Sequence, residues 1–332
     1  MLGGAPPADQ QRADALLVAA LADHAVAARG ADGRRTCPLS PTGAPFEASF
    51  SLGPGGGAGT VRYVAVAGTA HPYFTAQLRT QRLVVDEVAP ALGPPGAQRW
   101  SEQTSGLVQA LIPDPPAVPA RTRLVTALGV VHDGGNGRLL GLRLYANASL
   151  DPAALDRLVA RDPAFGEVVG PMRRPGLHPH LAAVEVSGVG AVDRRCYAWS
   201  EPGALRSAWP AGREGVERAL ARASIPTAVL DEAAFVCLAA AEGAAPRLTV
   251  HLRVQALERF GVSPDDALDG LVRAVDGAVE LGRWREAMAA TGWPWLTSIV
   301  GLSATGDGLT KLNGYVTPEA DRRGRRDPIR RP

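Results

Sequence analysis

The feature that most constrains this chain is a unit written five times: an apolar strand, a short turn, a second strand with alternating polar residues, then a helix. FEASFSL (46–52) and TVRYVAVAG (60–68) flank the glycine loop GPGGGAG. LVTALGVV (124–131) pairs with LLGLRLYAN (139–147), and HLAAVEVSG (180–188) with VDRRCYAWS (192–200). AAFVCLAAA (233–241) with PRLTVHLRV (246–254), and LTSIVGLSA (296–304) with LTKLNGYVTP (309–318), complete the set. Apolar runs joined by short loops read as antiparallel hairpins. The second strands centre near residues 64, 143, 196, 250 and 314, a recurrence that marks one supersecondary unit used repeatedly.

Between the hairpins the apolar period lengthens to that of helices, over 75–92, 100–112, 151–161, 211–223 and 264–290. Asp151 and Pro152 supply an N-cap and a first-turn proline, and Ser263-Pro264-Asp265-Asp266 opens the last helix. Ten strands in sequential antiparallel order can close on themselves and leave no edge. The expected fold class is therefore α+β: a closed ten-stranded antiparallel β-barrel with helices outside. Such a barrel is wider than an eight-stranded one, whose side chains just fill the interior, so it holds an open lumen. An open antiparallel sheet with helices on one face is the alternative. Residues 1–45 read as an N-terminal helix (9–29) and lead-in, 46–318 as a single barrel domain, and 319–332 as a disordered tail with six arginines.

The second strands carry polar residues mostly at period two: Arg62; Arg143 and Tyr145; Arg195 and Tyr197; His251 and Arg253; Lys311, Asn313 and Tyr315. Residues i and i+2 of a strand share a face. On a single strand this alternation also fits a solvated outer face, but five hairpins with the same habit point it inward. A lumen lined by Arg, Lys and Tyr suits a highly charged anion, a di- or triphosphate. Glu47 is a lone carboxylate in the apolar strand FEASF. It is either a general base whose proton affinity rises with burial, or the partner of an arginine on the next strand.

Composition narrows the classes further. The 332 residues carry a net charge of +2, which argues against a nucleic-acid binder. No apolar run is long enough to span a membrane. Asp9, Arg12, Asp14 and Asp23 interrupt the N-terminal apolar stretch, so it is no signal peptide and a cytoplasmic protein is expected. Cys37, Cys196 and Cys237 have no metal-ligand spacing and form no disulfide framework. Lys311 is the only lysine beside 34 arginines. It is either a chance survivor of base composition or a position that needs a compact ammonium. His178-Pro179-His180 lacks a third metal ligand, and Trp293-Pro294-Trp295 reads as core packing or as a rim contact for an aromatic acceptor.

Phe46-Glu47-Ala48-Ser49, Arg62 fifteen residues after Glu47, Arg143 and Tyr145 in LRLYANASLDPAALDRL, and Lys311 and Tyr315 in TKLNGYVTP form an ordered series. In layout along residues 45–318 the chain resembles the peptide prenyltransferases of cyanobactin biosynthesis (the LynF/TruF/PatF type). These belong to the ABBA class, whose barrel is built of five αββα units. The resemblance implies that Glu47 is the catalytic base and Arg62 a diphosphate ligand. It implies an enzyme that transfers a prenyl group, dimethylallyl in the first place, from an allylic diphosphate to an electron-rich side chain of a ribosomal peptide, cyclic or linear. The alternatives are a small indole or phenol acceptor, or a non-catalytic diphosphate-binding barrel. Mg2+ would enter on the phosphate oxygens, since the chain has no Asp-rich metal motif. The departures are the three residues between Lys311 and Tyr315, and Gly141 where a further basic residue is expected. Phe235 has the parity to point into the lumen, where its ring would limit the donor to five carbons.

Overall fold

The alternation of small apolar and polar residues produces ten strands, because each strand must bury one face and offer the other elsewhere. They are β1 (Phe46–Leu52), β2 (Thr60–Ala65), β3 (Thr126–Asp133), β4 (Leu139–Asn147), β5 (Leu177–Ser187), β6 (Val192–Ser200), β7 (Phe235–Ala241), β8 (Arg247–Arg253), β9 (Trp295–Thr305) and β10 (Gly308–Pro318). The computed structural model describes residues 46–53, 59–66, 82–83, 85–112, 126–134, 137–205, 209–232, 235–275, 277–290, 295–305 and 308–318. The expected N-terminal helix, residues 75–81 and 84 of the helix expected over 75–92, and the arginine-rich tail lie outside the described residues.

Each strand pairs antiparallel with its neighbour in sequence, and β1 pairs with β10 to close the barrel. Ser49 stands opposite Tyr315 and Ser51 opposite Asn313. The open-sheet alternative is thereby excluded. Ladder irregularities between Val131 and His132, Pro179 and Leu181, Leu309 and Lys311, and Tyr315 and Val316 bend the sheet as closure requires.

The helices are α1 (Gly93–Leu111), α2 (Ala154–Arg161), α3 (Gly166–Met172), α4 (Pro210–Arg222), α5 (Val254–Arg259), α6 (Pro264–Arg273) and α7 (Ala278–Ala289). They cover the outer faces of the strands. Phe50, Leu142, Val184, Leu252 and Leu312 share one continuous core with Trp100, Leu158, Leu220 and Leu268. Trp100 is fully buried and donates its indole N–H to the Val85 carbonyl at 3.0 Å. Among the described residues no helix is long and apolar enough to cross a membrane.

Three helix boundaries differ from the sequence reading. The first full helix begins at Gly93 and not near 100, because prolines in a first turn lose no hydrogen bond. Asp151 does not cap α2; its carboxylate accepts from the Ala153 N–H at 2.9 Å in a turn ahead of the helix. The stretch 264–290 is two helices that part at Gly277, where a Cβ would lie 2.5 Å from the Leu52 side chain. The short helices α3 and α5 carry too few periodic positions to be foreseen.

Gly314 shows how closely helix and barrel approach. A Cβ there would fall 2.4 Å from the Phe50 ring, which is itself held against Trp284 at 4.5 Å between centroids. Gly314→Ala is expected to destabilise the fold by about 1–3 kcal/mol, the usual cost of overpacking. Urea denaturation measures this, and an unchanged midpoint would mean the barrel wall yields there.

Candidate active site

The barrel closes with one face of every strand inside. Along β10 the outward residues Leu312 and Val316 join the main core, so Lys311, Asn313 and Tyr315 turn inward. The same parity places Glu47, Arg62, Arg143, Tyr145, Arg195, Tyr197, Phe235, His251 and Arg253 on the inner face. All twelve of these residues, each singled out from the sequence, therefore line one lumen. Their chemistry is graded along the barrel axis. Glu47, Trp199, Phe235 and Arg253 lie near the strand ends that meet the helices, while Glu185 and Asp193 lie near the hairpin turns.

Toward the turns the lumen is ionic. Arg143 faces Glu185 across β4 and β5, and Glu185 faces Asp193 across β5 and β6. The Glu185 carboxylate accepts from Arg143 Nε at 2.7 Å, from Arg143 Nη2, and from Arg195 Nη2 at 3.2 Å. Arg195 also donates to Asp193, and Arg143 to the Tyr145 hydroxyl at 2.9 Å. Between β2 and β10, Arg62 donates to Asn313 Oδ1 at 2.7 Å. Burial raises the Glu185 pKa, but the two guanidinium groups outweigh it and hold the carboxyl well below the usual range. Burial, then Arg62, Arg195 and Arg143, push the Lys311 ammonium well below its ordinary value. Burial and the same arginines take His251 down to about 3. Arg62 Nε, Arg195 Nε and His251 Nε2 are buried without a hydrogen-bond partner. Unmet polar atoms among cations are the complement of a polyanion.

Glu47 lives in a different environment within the same barrel. It is only 7 % exposed, and it makes no ion pair among the described residues. Ser298 donates to its Oε2 at 3.3 Å. Burial lifts its pKa to about 8, and the Ser298 hydrogen bond and Arg62 offset only part of that rise. The ion-pair alternative for Glu47 is thus replaced by a desolvated carboxyl poised near neutral pH.

The same lumen carries a set of aromatic rings. Phe235 stacks on Tyr197 with centroids 5.5 Å apart and meets Trp199 at 4.6 Å. Tyr145 lies 5.7 Å from Tyr197, and Tyr315 lies 5.5 Å from His251. Arg253 sits over the Trp199 ring at 5.2 Å. Burial pushes the Tyr315 phenol up to about 12, so it stays a neutral donor.

Glu185, Asp193, Trp199 and Ser298 were not anticipated. The first strands read as mostly small and apolar, and beside Glu47 in FEASF the Glu185 of LAAVEV was a signal against that reading. Gly141 holds no basic side chain because a Cβ there would lie 2.8 Å from the Val186 carbonyl oxygen. His178 contacts Glu201 at 2.9 Å, whereas His180 approaches Ser149. Trp295 donates to the Met288 carbonyl at 3.1 Å and serves packing. Trp293 lies outside the described residues. The lumen carboxylates Glu185 and Asp193 are engaged by arginines, so the residues present do not fit a resident Mg2+.

No protein-family model and no curated protein matches the chain, and its likeness is to solved structures. The prenyltransferase PriB, in ternary complex with L-tryptophan and dimethylallyl thiolodiphosphate, is 19% identical over 93% of this chain and 94% of its own, with a TM-score of 0.62. AnaPT from Neosartorya fischeri is 14% identical over 96% and 97%, with a TM-score of 0.60. The 5-dimethylallyltryptophan synthase of Streptomyces coelicolor is 16% identical over 93% and 95%, with a TM-score of 0.53. The fold is that of the ABBA prenyltransferase barrel. The cyanobactin type is not reached by these likenesses, which extend to the fold shared across the class.

The Glu47 shift has a sign that stability can test. In the folded barrel Glu47 keeps its proton up to about 8, whereas the unfolded chain gives it up above 4.5. The wild type therefore loses stability as pH rises from 4.5 to 8. Glu47→Gln carries no such proton. Its melting temperature minus that of the wild type is expected to increase across this window. A pH-independent difference would show that Glu47 is solvated in the empty barrel.

Proposed function

We propose that this chain is a prenyltransferase that moves a dimethylallyl group from its diphosphate to the electron-rich ring of a small aromatic acceptor, an indole such as that of tryptophan. The observation that carries the reading is the pairing, in one lumen, of a cation cluster with a separate desolvated carboxyl. The solved structures of the same fold include one with tryptophan and a dimethylallyl diphosphate analogue bound, which favours a small aromatic acceptor over a ribosomal peptide.

In this mechanism Arg62, Arg143, Arg195 and Lys311 bind the diphosphate. The allylic C–O bond breaks, and its electron pair leaves with pyrophosphate, whose growing charge the same cations stabilise. Tyr145, Tyr197 and Tyr315 present ring faces to the allyl cation and keep water from it. The acceptor ring attacks to form a C–C bond, and the proton displaced from the ring carbon passes to the Glu47 carboxylate. Phe235 closes the aromatic wall and suits a five-carbon donor. His251 stands among the cations, and Arg253 carries the polar lining away from them toward the strand ends that meet the helices. Mg2+, if it enters on the donor's own phosphate oxygens, adds charge neutralisation there.

The test is incubation with dimethylallyl diphosphate and separate arms of tryptophan, simple indoles and phenols, and Trp- or Tyr-containing peptides, read by mass. A gain of one prenyl unit on the small aromatics is expected. Gain on peptides alone would restore the peptide reading, and pyrophosphate binding with no transfer in any arm would leave a binding barrel. For Glu47→Gln, turnover is expected to fall roughly 100- to 10,000-fold, the usual contribution of a general base. Because the base must be ionised, wild-type kcat/KM should rise with pH up to about 8 and then level off, and the residual activity of the variant should lack that limb. Wild-type rates in Glu47→Gln would remove Glu47 from the mechanism.

Lys311 has a parallel test. Lys311→Ala is expected to weaken a non-hydrolysable allylic diphosphate analogue by roughly ten- to hundredfold, as loss of a charge-assisted contact does. Lys311→Arg should lose less, and both melting curves should stay close to wild type. Unchanged affinity in Lys311→Ala would make this lysine a survivor of base composition.

A further inference from the structure

Glu185 places an ionised carboxylate inside the cation cluster that the donor must use. One oxygen of it, Oε2, takes hydrogen bonds from both nitrogens of one edge of Arg143 and from Arg195. Two guanidinium groups converging on one oxygen is also how arginines grip a phosphate oxygen. The convergence is built by the sheet, since Arg143, Glu185 and Asp193 are successive cross-strand partners. The Glu185 side chain is 22% exposed and that of Arg143 is 4% exposed, so solvent reaches the carboxylate side of the pair and not the guanidinium. Asp193 keeps its own hold on Arg195, which therefore stays in place without Glu185. Arg62 Nε and Arg195 Nε are buried donors with no partner while Glu185 is seated.

We propose that Glu185 is a displaceable internal occupant of the phosphate site, and that it makes the barrel select a diphosphate over a single phosphate. The inference rests on the reading of the lumen as a diphosphate site. A single phosphate has to compete with the tethered carboxylate at Arg143 and Arg195, and is repelled by it. A diphosphate brings more oxygens and more charge. It takes those two arginines and engages Arg62 and Lys311 as well, which the Glu185 carboxylate does not bond in the empty barrel. Selectivity then comes from an element that penalises the smaller ligand.

Calorimetric titration of the full chain with inorganic pyrophosphate and with orthophosphate tests this. The wild type should prefer pyrophosphate strongly. Glu185→Gln should bind orthophosphate about tenfold or more tightly than the wild type does, with a smaller gain for pyrophosphate, so that the preference narrows. Glu185→Asp keeps the charge but draws it back from the arginines. It should narrow the preference in the same direction by less, and it carries the test if melting curves show that the Gln variant does not fold. Weaker binding of both anions by a folded variant would overturn the proposal, because Glu185 would then only orient the arginines. An unchanged preference would also overturn it. If the wild type binds pyrophosphate and only the preference fails to move, the diphosphate reading stands without this inference. If the wild type binds no pyrophosphate, both fall together.

Discussion

Everything in this molecule depends on the pairing of β1 with β10. Those strands lie at opposite ends of the barrel sequence, and their ladder turns a sheet into a closed wall. Closure removes the two edges that a ten-stranded sheet would otherwise expose. It also decides which groups meet. Arg62 reaches Asn313, and Ser298 reaches Glu47, across 251 positions of chain in each case. A lumen enclosed by helices on the outside keeps bulk water from these contacts, and electrostatic effects inside it are large for that reason.

Within that enclosure, two carboxylates of one barrel behave in opposite ways. Glu185 touches two guanidinium groups and is held ionised. Glu47 touches a serine hydroxyl and is driven toward its neutral form, up to about 8. The difference is local: a charge partner within hydrogen-bond reach outweighs desolvation, and a neutral donor does not. Two titratable groups separated in this way can take different roles in one reaction. The cations show the same collective field. His251 and Lys311 lie on different strands, yet both are disfavoured as charged groups by burial and then by the same Arg62, Arg195 and Arg143. An arriving polyanion would relax that repulsion across the whole lumen at once.

The helical coat sets the geometry of the wall. Gly314 and Gly277 let Phe50 and Leu52 of β1 pack directly against α6 and α7. That contact fixes the face that β1 turns inward, and with it Glu47. Packing on the outside and chemistry on the inside are thus consequences of one strand parity.

Much of this was legible in the chain. The five hairpins, the period of two in LRLYA, HLR and KLNGY, and the lone glutamate of FEASF follow from local rules, and the strands obey them. The twelve lumen residues were readable because a strand has only two faces. Partnerships were not readable. Nothing in the sequence says that Glu185 in LAAVEV meets Arg143, because that depends on the register between β4 and β5. Nothing says that Glu47 meets Ser298 rather than an arginine, because the β9–β10 irregularity near Tyr315 intervenes. Helix ends were blurred for a local reason: Pro94 fits a first turn as readily as a break, and the Asp151 carboxylate closes a turn ahead of the helix in place of a cap. The sequence by itself determined the strands, their faces and the charge of the lumen. Tertiary structure alone decided which charges are paired, and therefore which carboxylate is held ionised and which is driven toward its neutral form.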